Sequence, residues 1–126
     1  MSIRPSPFLE YLQNRAGNTL RAVMLFTENN YKHLYLREDL EEIYSKEHYP
    51  TIAERLRSET DCTSGTESEL QIGELDSITL VFEEAIVLIF PATKTRGAAV
   101  SLDRDAGSQL FEFVDEARKR LYGQSH

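Results

Sequence analysis

The sequence lacks tryptophan and carries a single cysteine, Cys62, with only four prolines and six glycines among its 126 residues. One thiol excludes an internal disulfide, and no Cys/His spacing forms a zinc site, so no metal or cofactor is expected. Cys62 stands in a polar stretch without the electropositive surroundings that activate a thiol, and reads as inert. No apolar run approaches the roughly 18 residues of a membrane-spanning helix. Prolines and polar residues follow the charge near Met1, where a signal peptide would have an apolar segment. The expectation is a cytoplasmic protein without a membrane partner.

Lysine is scarce. Four lysines and ten arginines face 21 carboxylates, for a net charge of −7. That balance argues against nucleic acid, which demands concentrated positive charge. The only basic cluster, Arg118-Lys119-Arg120, falls in the last turn of a predicted helix, where cations complement the helix dipole. Catalytic signatures are also missing: there is no Gly-x-Ser-x-Gly, no glycine-rich phosphate loop and no His-Glu-x-x-His. Glu83-Glu84 could pass for paired carboxylates, but turn neighbours point apart and stay solvated. No enzyme is expected.

What is present is organised around Thr19 to Leu40. Ala22 to Phe26 is apolar on both alternating faces, as in a strand covered on both sides. Thr27 to Asn30 supplies turn formers, and Tyr31 to Leu36 resumes with β-favouring residues, a hairpin pattern. From Arg37 the apolar residues Leu36, Leu40, Ile43 and Tyr44 take helical spacing, with acidic residues crowding the first turns. Before the hairpin, Ser6-Pro7 predicts a helix start, and Gly17-Asn18 its stop.

After the hairpin, His48-Tyr49-Pro50 predicts a break or kink, and Thr51 to Glu54 has the spacing of a capping box. Residues 58–68 are polar and aperiodic, a predicted flexible loop. Leu70 to Ile72 reads as a weak strand or a lead-in to the next one. Ile78 to Phe82 alternates, Glu83-Glu84 turns the chain, and Ala85 to Phe90 is predicted to be the most buried strand. A small-residue strand, Gly97 to Leu102, admits close approach of a helix or another chain. The last helix opens at Asp103 or Asp105 and carries Leu110, Phe111, Phe113, Val114, Ala117 and Leu121 on one broad stripe. Residues 122–126 are a predicted disordered tail.

The predicted order is α-β-β-α-β-β-β-α: a single α+β domain over 1–126, with an antiparallel sheet of about five strands and flanking helices. This order resembles that of roadblock and longin-type domains. The resemblance implies dimerisation and a role as a platform for small GTPases and related assemblies. The run Leu34-Tyr35-Leu36-Arg37-Glu38-Asp39-Leu40, followed by a meander and an apolar C-terminal helix, resembles a group of small haloarchaeal proteins of unknown function. The acidic, lysine-poor composition agrees with a halophilic host.

Candidate contact residues are Tyr35, Arg37, Glu38 and Asp39, the densest polar cluster beside a strand end. Arg37 there could hold a carboxylate or phosphate in two-toothed fashion; the alternative is helix capping with a surface ion pair. His33 and His48 lack the convergent ligands of a metal site and read as structural. Phe111 and Phe113, two apart on a helix, point to different sides, one to the core and one to a neighbour. The sequence therefore points to a non-enzymatic interaction or regulatory module, a homodimer with a cytoplasmic protein partner. The alternative is a small-molecule sensor with a pocket between the sheet and a kinked helix pair at 37–58.

Overall fold

The hydrophobic alternation of the strands sets the architecture, seen here in a computed structural model that describes residues 4–122. Strand β1 (Leu20–Phe26) pairs with β2 (Tyr31–Leu36) through the Thr27–Asn30 turn. Strands β3 (Ile78–Val81), β4 (Ala85–Pro91) and β5 (Gly97–Asp103) form an antiparallel meander. The two units join where β1 pairs antiparallel with β5, giving a five-stranded sheet of order β2-β1-β5-β4-β3. The α+β class, the antiparallel sheet and the flanking helices agree with the sequence reading.

Each face of the sheet takes a helix. On one face, α1 (Pro5–Ala16) lays Phe8, Leu9 and Leu12 over Leu20, Val23 and Val100, all three of which are fully buried. Leu20 and Val23, three residues apart, share that face because the register against β5 shifts between Leu20 and Ala22. Such a bulge exchanges the faces of the residues beyond it. Gly17 ends α1 at φ 55°, a left-handed turn that few other residues adopt without strain. On the opposite face, α2 (Tyr49–Thr63) packs Ala53 and Leu56 against Met24, Phe26, Ile89 and Ala99. Arg57 of α2 also straps the tip of the first hairpin, donating to the carbonyls of Thr27 and Asn30 while pairing with Glu54.

Several expectations are corrected. The acidic stretch after β2 makes only one 3-10 turn, Glu38–Leu40: no side chain caps its start, and Leu40 anchors the segment in the core. A kinked helix pair is therefore replaced by a turn segment and a single helix, with Pro50 in its first turn and Thr51 inside it rather than capping it. The predicted flexible loop at 58–68 is mostly helical: α2 runs to Thr63, and α3 (Thr66–Leu70) follows Gly65, whose φ is 93°. The apolar stripe hid there because its last core position is Thr60, buried at 1% exposure, whose hydroxyl donates to the Leu56 carbonyl at 2.8 Å. Leu70 to Ile72 is not a strand, and Gln71 has a positive φ of 56°.

The most buried strands are β1 and central β5, while Phe90 of β4 is partly exposed. At the C-terminal end a 3-10 turn, Arg104–Gly107, leads into α4 (Ser108–Tyr122). Asp103 occupies the capping position of that turn, but its carboxylate makes no capping bond. Arg104 lies over the Phe111 ring at 3.8 Å, donates to the Glu83 carbonyl at 2.6 Å and reaches Asp115 at 3.5 Å. Apart from Tyr122, the predicted tail lies outside the described residues. Among the described residues, no helix is long and apolar enough to cross a membrane.

Candidate functional site

Two side chains near one end of the central strands compete for the role of anion contact. Arg37 follows β2 directly, and its backbone N–H donates to the Arg21 carbonyl at 2.8 Å. All five of its side-chain donors are occupied. Nε and Nη2 donate to the Asp39 carboxylate at 2.6 and 3.2 Å, while Nη1 and Nη2 donate to Asp103 at 2.6 and 3.2 Å. Nη1 also donates to the Asn18 carbonyl at 2.8 Å. The hydrogen bonds to Asp103 and Asp39 push the guanidinium further up from its ordinary range. The bond from Arg37 holds each carboxyl below its ordinary value. An arginine with no donor left works as a staple, here joining β2, the 3-10 turn and β5.

Arg21 differs. It lies on β1, its side chain is 16% exposed, and among the described residues it makes one long side-chain hydrogen bond, to Asp103 Oδ1 at 3.4 Å. Asp103 Oδ1 is itself taken by Arg37 Nη2 at 3.2 Å. Arg21 lines a cavity of about 250 Å³ between the sheet and α2. The cavity walls are mostly aliphatic, including Met24, Leu36, Ile52, Leu80 and Ala99, and polar groups from Arg21, Ser101, Tyr44 and His33 also reach it. α2 packs over the Phe26 end of that face, and Leu40 of the 3-10 turn and Tyr44 beyond it also line the cavity.

His33 forms part of the cavity wall, stacked on Tyr49 with ring centroids 4.5 Å apart and planes 22° from parallel. Burial lowers its pKa from the ordinary 6.5. The folded state therefore keeps the imidazole neutral to lower pH than the unfolded chain does. Stability from this residue is present above about pH 6.5 and is lost as pH falls through the folded value. The melting temperature of the wild type is thus expected to decline as pH drops below about 6.5, and His33→Phe to remove that decline. Identical pH profiles for the two proteins would contradict this assignment.

The other residues singled out by sequence are scattered. Tyr35 packs on the α1 side, against the Leu20, Val23 and Val100 cluster, and Glu38 is exposed. Tyr35, Arg37, Glu38 and Asp39 therefore do not converge as one surface; only Arg37 and Asp39 meet. His48 occupies the N-cap position of α2 without a side-chain capping bond; its Nδ1 accepts from the Ser45 N–H at 3.2 Å, closing the turn that precedes the helix. Cys62 is exposed. Sequence reasoning missed Arg21, Arg57 and the ionic role of Asp103. Arg37 and Asp103 lie 66 residues apart, and only the β1–β5 pairing brings them together. The one available signal was that both stand at strand ends.

With this geometry in place, the chain can be assigned to a family. It belongs to the family described as Domain of unknown function (DUF7522), whose model matches residues 6–122. No curated protein matches it.

Proposed function

We propose that this protein is a non-enzymatic regulatory module that self-associates through α4, leaving the rest of its surface for a protein partner. The observation that carries this reading is the apolar stripe of α4. Phe111 is buried against its own domain, while Phe113 and Leu121 are 71% and 73% exposed and Leu110 is partly exposed. Positions 110, 114, 117 and 121 are spaced as the seam of a two-helix coiled coil. A second copy of the chain fits this seam. The seam positions themselves carry no charge, and two carboxylates of α4 are engaged within the chain, Glu116 with Arg120 at 3.0 Å and Asp115 with Arg104 at 3.5 Å. Self-pairing of this kind closes as a two-fold dimer.

The order of elements, like that of roadblock and longin-type domains, supports a platform role. The acidic, lysine-poor composition supports the cytoplasm of a halophilic host. Light scattering at high micromolar concentration is expected to return twice the 14.5 kDa chain mass. Leu121→Lys is expected to return the single-chain mass with little loss of fold stability, because the side chain is exposed. A wild-type monomer under these conditions would end the proposal. A second reading, a small-molecule sensor, is favoured by the cavity beneath α2.

A further inference from the structure

We infer that the cavity between α2 and the sheet binds a small amphiphilic monocarboxylate, its apolar body against Met24, Ile52 and Ala99 and its carboxylate on Arg21. The inference deepens the sensor reading and rests on it. Ala22 is paired with Ser101 across β1 and β5, which puts Arg21 and Ser101 at the same end of the cavity. The opposite end, under α2, is aliphatic. A ligand that satisfies both ends has one polar terminus.

Arg21 decides the sign and shape of that terminus. Its side chain is largely shielded from water, yet among the described residues it makes only the 3.4 Å bond to Asp103. Asp103 is committed to Arg37 by two shorter bonds, at 2.6 and 3.2 Å. The remaining guanidinium donors of Arg21 have the planar fork that a carboxylate meets with two parallel hydrogen bonds. Among the described residues, Arg21 is the one shielded arginine on the cavity wall with donors to spare: Arg55, also on the wall, is 78% exposed to water, and Arg37 has no donor left. One available arginine matches a monoanion better than a phosphate dianion, whose desolvation it would only half offset. The Ser101 hydroxyl lines the same end and can add a neutral hydrogen bond.

The volume limits the body of the ligand. About 250 Å³ is room for about eight water-sized groups at ~30 Å³ each. It falls below the roughly 300–1,000 Å³ of sites for drug-sized molecules. A medium-chain fatty acid or a single-ring aromatic acid fits; a long-chain lipid does not.

The test is calorimetric titration of the wild type with octanoate and, separately, with octanol, which shares the chain and lacks the charge. Octanoate is expected to bind one-to-one, about tenfold more tightly than octanol, the usual size of a charge-assisted hydrogen-bond gain. In Arg21→Gln the two probes are expected to bind equally weakly, and in Ser101→Leu, which fills the cavity, neither should bind. If octanol binds the wild type as well as octanoate does, the carboxylate inference is overturned while the cavity remains a binding site. If neither probe binds the folded wild type up to about 1 mM, both the inference and the sensor reading fall. Should either variant not fold, the comparison of the two probes on the wild type decides alone.

Discussion

Replacing Gly97 with valine is expected to destabilise the protein by about 3 kcal/mol or more, a large part of the stability of a small domain. Gly97 opens β5 and is buried, paired with Phe26 of β1 and Pro91 of β4. Its φ is unremarkable; the constraint is space. A Cβ at this position would collide with the Phe90 carbonyl oxygen and lie 3.1 Å from the Pro91 Cα and 3.2 Å from the Phe26 ring. Two of these neighbours are backbone, held by the β4–β5 ladder. The third is a core ring at 1% exposure that has nowhere to turn. Ordinary overpacking costs about 1–3 kcal/mol, and a backbone collision in a central strand adds to it. Gly97→Ala should show a smaller loss in the same direction. Urea unfolding measures both, and a valine variant within about 1 kcal/mol of the wild type would refute the close approach.

Arg37→Met should lose about 2 kcal/mol and, with it, much of the sensitivity to strong acid. The substitution removes five hydrogen bonds and leaves half-buried Asp103 with only the 3.4 Å contact to Arg21. The figure is held down because Asp103 is 30% exposed and water replaces part of what is lost. Arg37 holds the Asp103 carboxyl below its unfolded value, so the stability it contributes is fully present above about pH 4 and is lost as pH falls through the folded value. Urea midpoints measured at neutral pH and near pH 3 should therefore converge in the variant relative to the wild type. If Arg37→Met instead unfolds at the wild-type midpoint yet loses a protein partner, Arg37 is a contact residue after all and the staple assignment is wrong.

The candidate site was legible only in part. Arg37 and Asp39 were found because they are adjacent in sequence and their charges are obvious. Their consequence was misjudged, because the partner that saturates Arg37 lies at the end of β5, and no local pattern announces a contact across the sheet. Arg21 was overlooked for the same reason: within Leu20 to Phe26 it is one polar residue in an apolar run, and its importance comes from Asp103 already being taken. Helix α2 was cut short because Thr60 occupies a core position usually held by an aliphatic residue. Phe111 and Phe113 were separated correctly, since two residues apart on a helix necessarily face different ways.

By itself the sequence determined the strands, the Thr27–Asn30 and Glu83-Glu84 turns, the first and last helices and hence the α+β class. All of these follow from local periodicity and turn chemistry, which act over a few residues. Only the tertiary structure decided that β1 joins β5, that the turn segment after β2 and the helix after it roof a cavity, and which arginine has donors to spare. Those outcomes depend on hydrogen bonds and packing between segments tens of residues apart. Their energies exist only once both segments are in place.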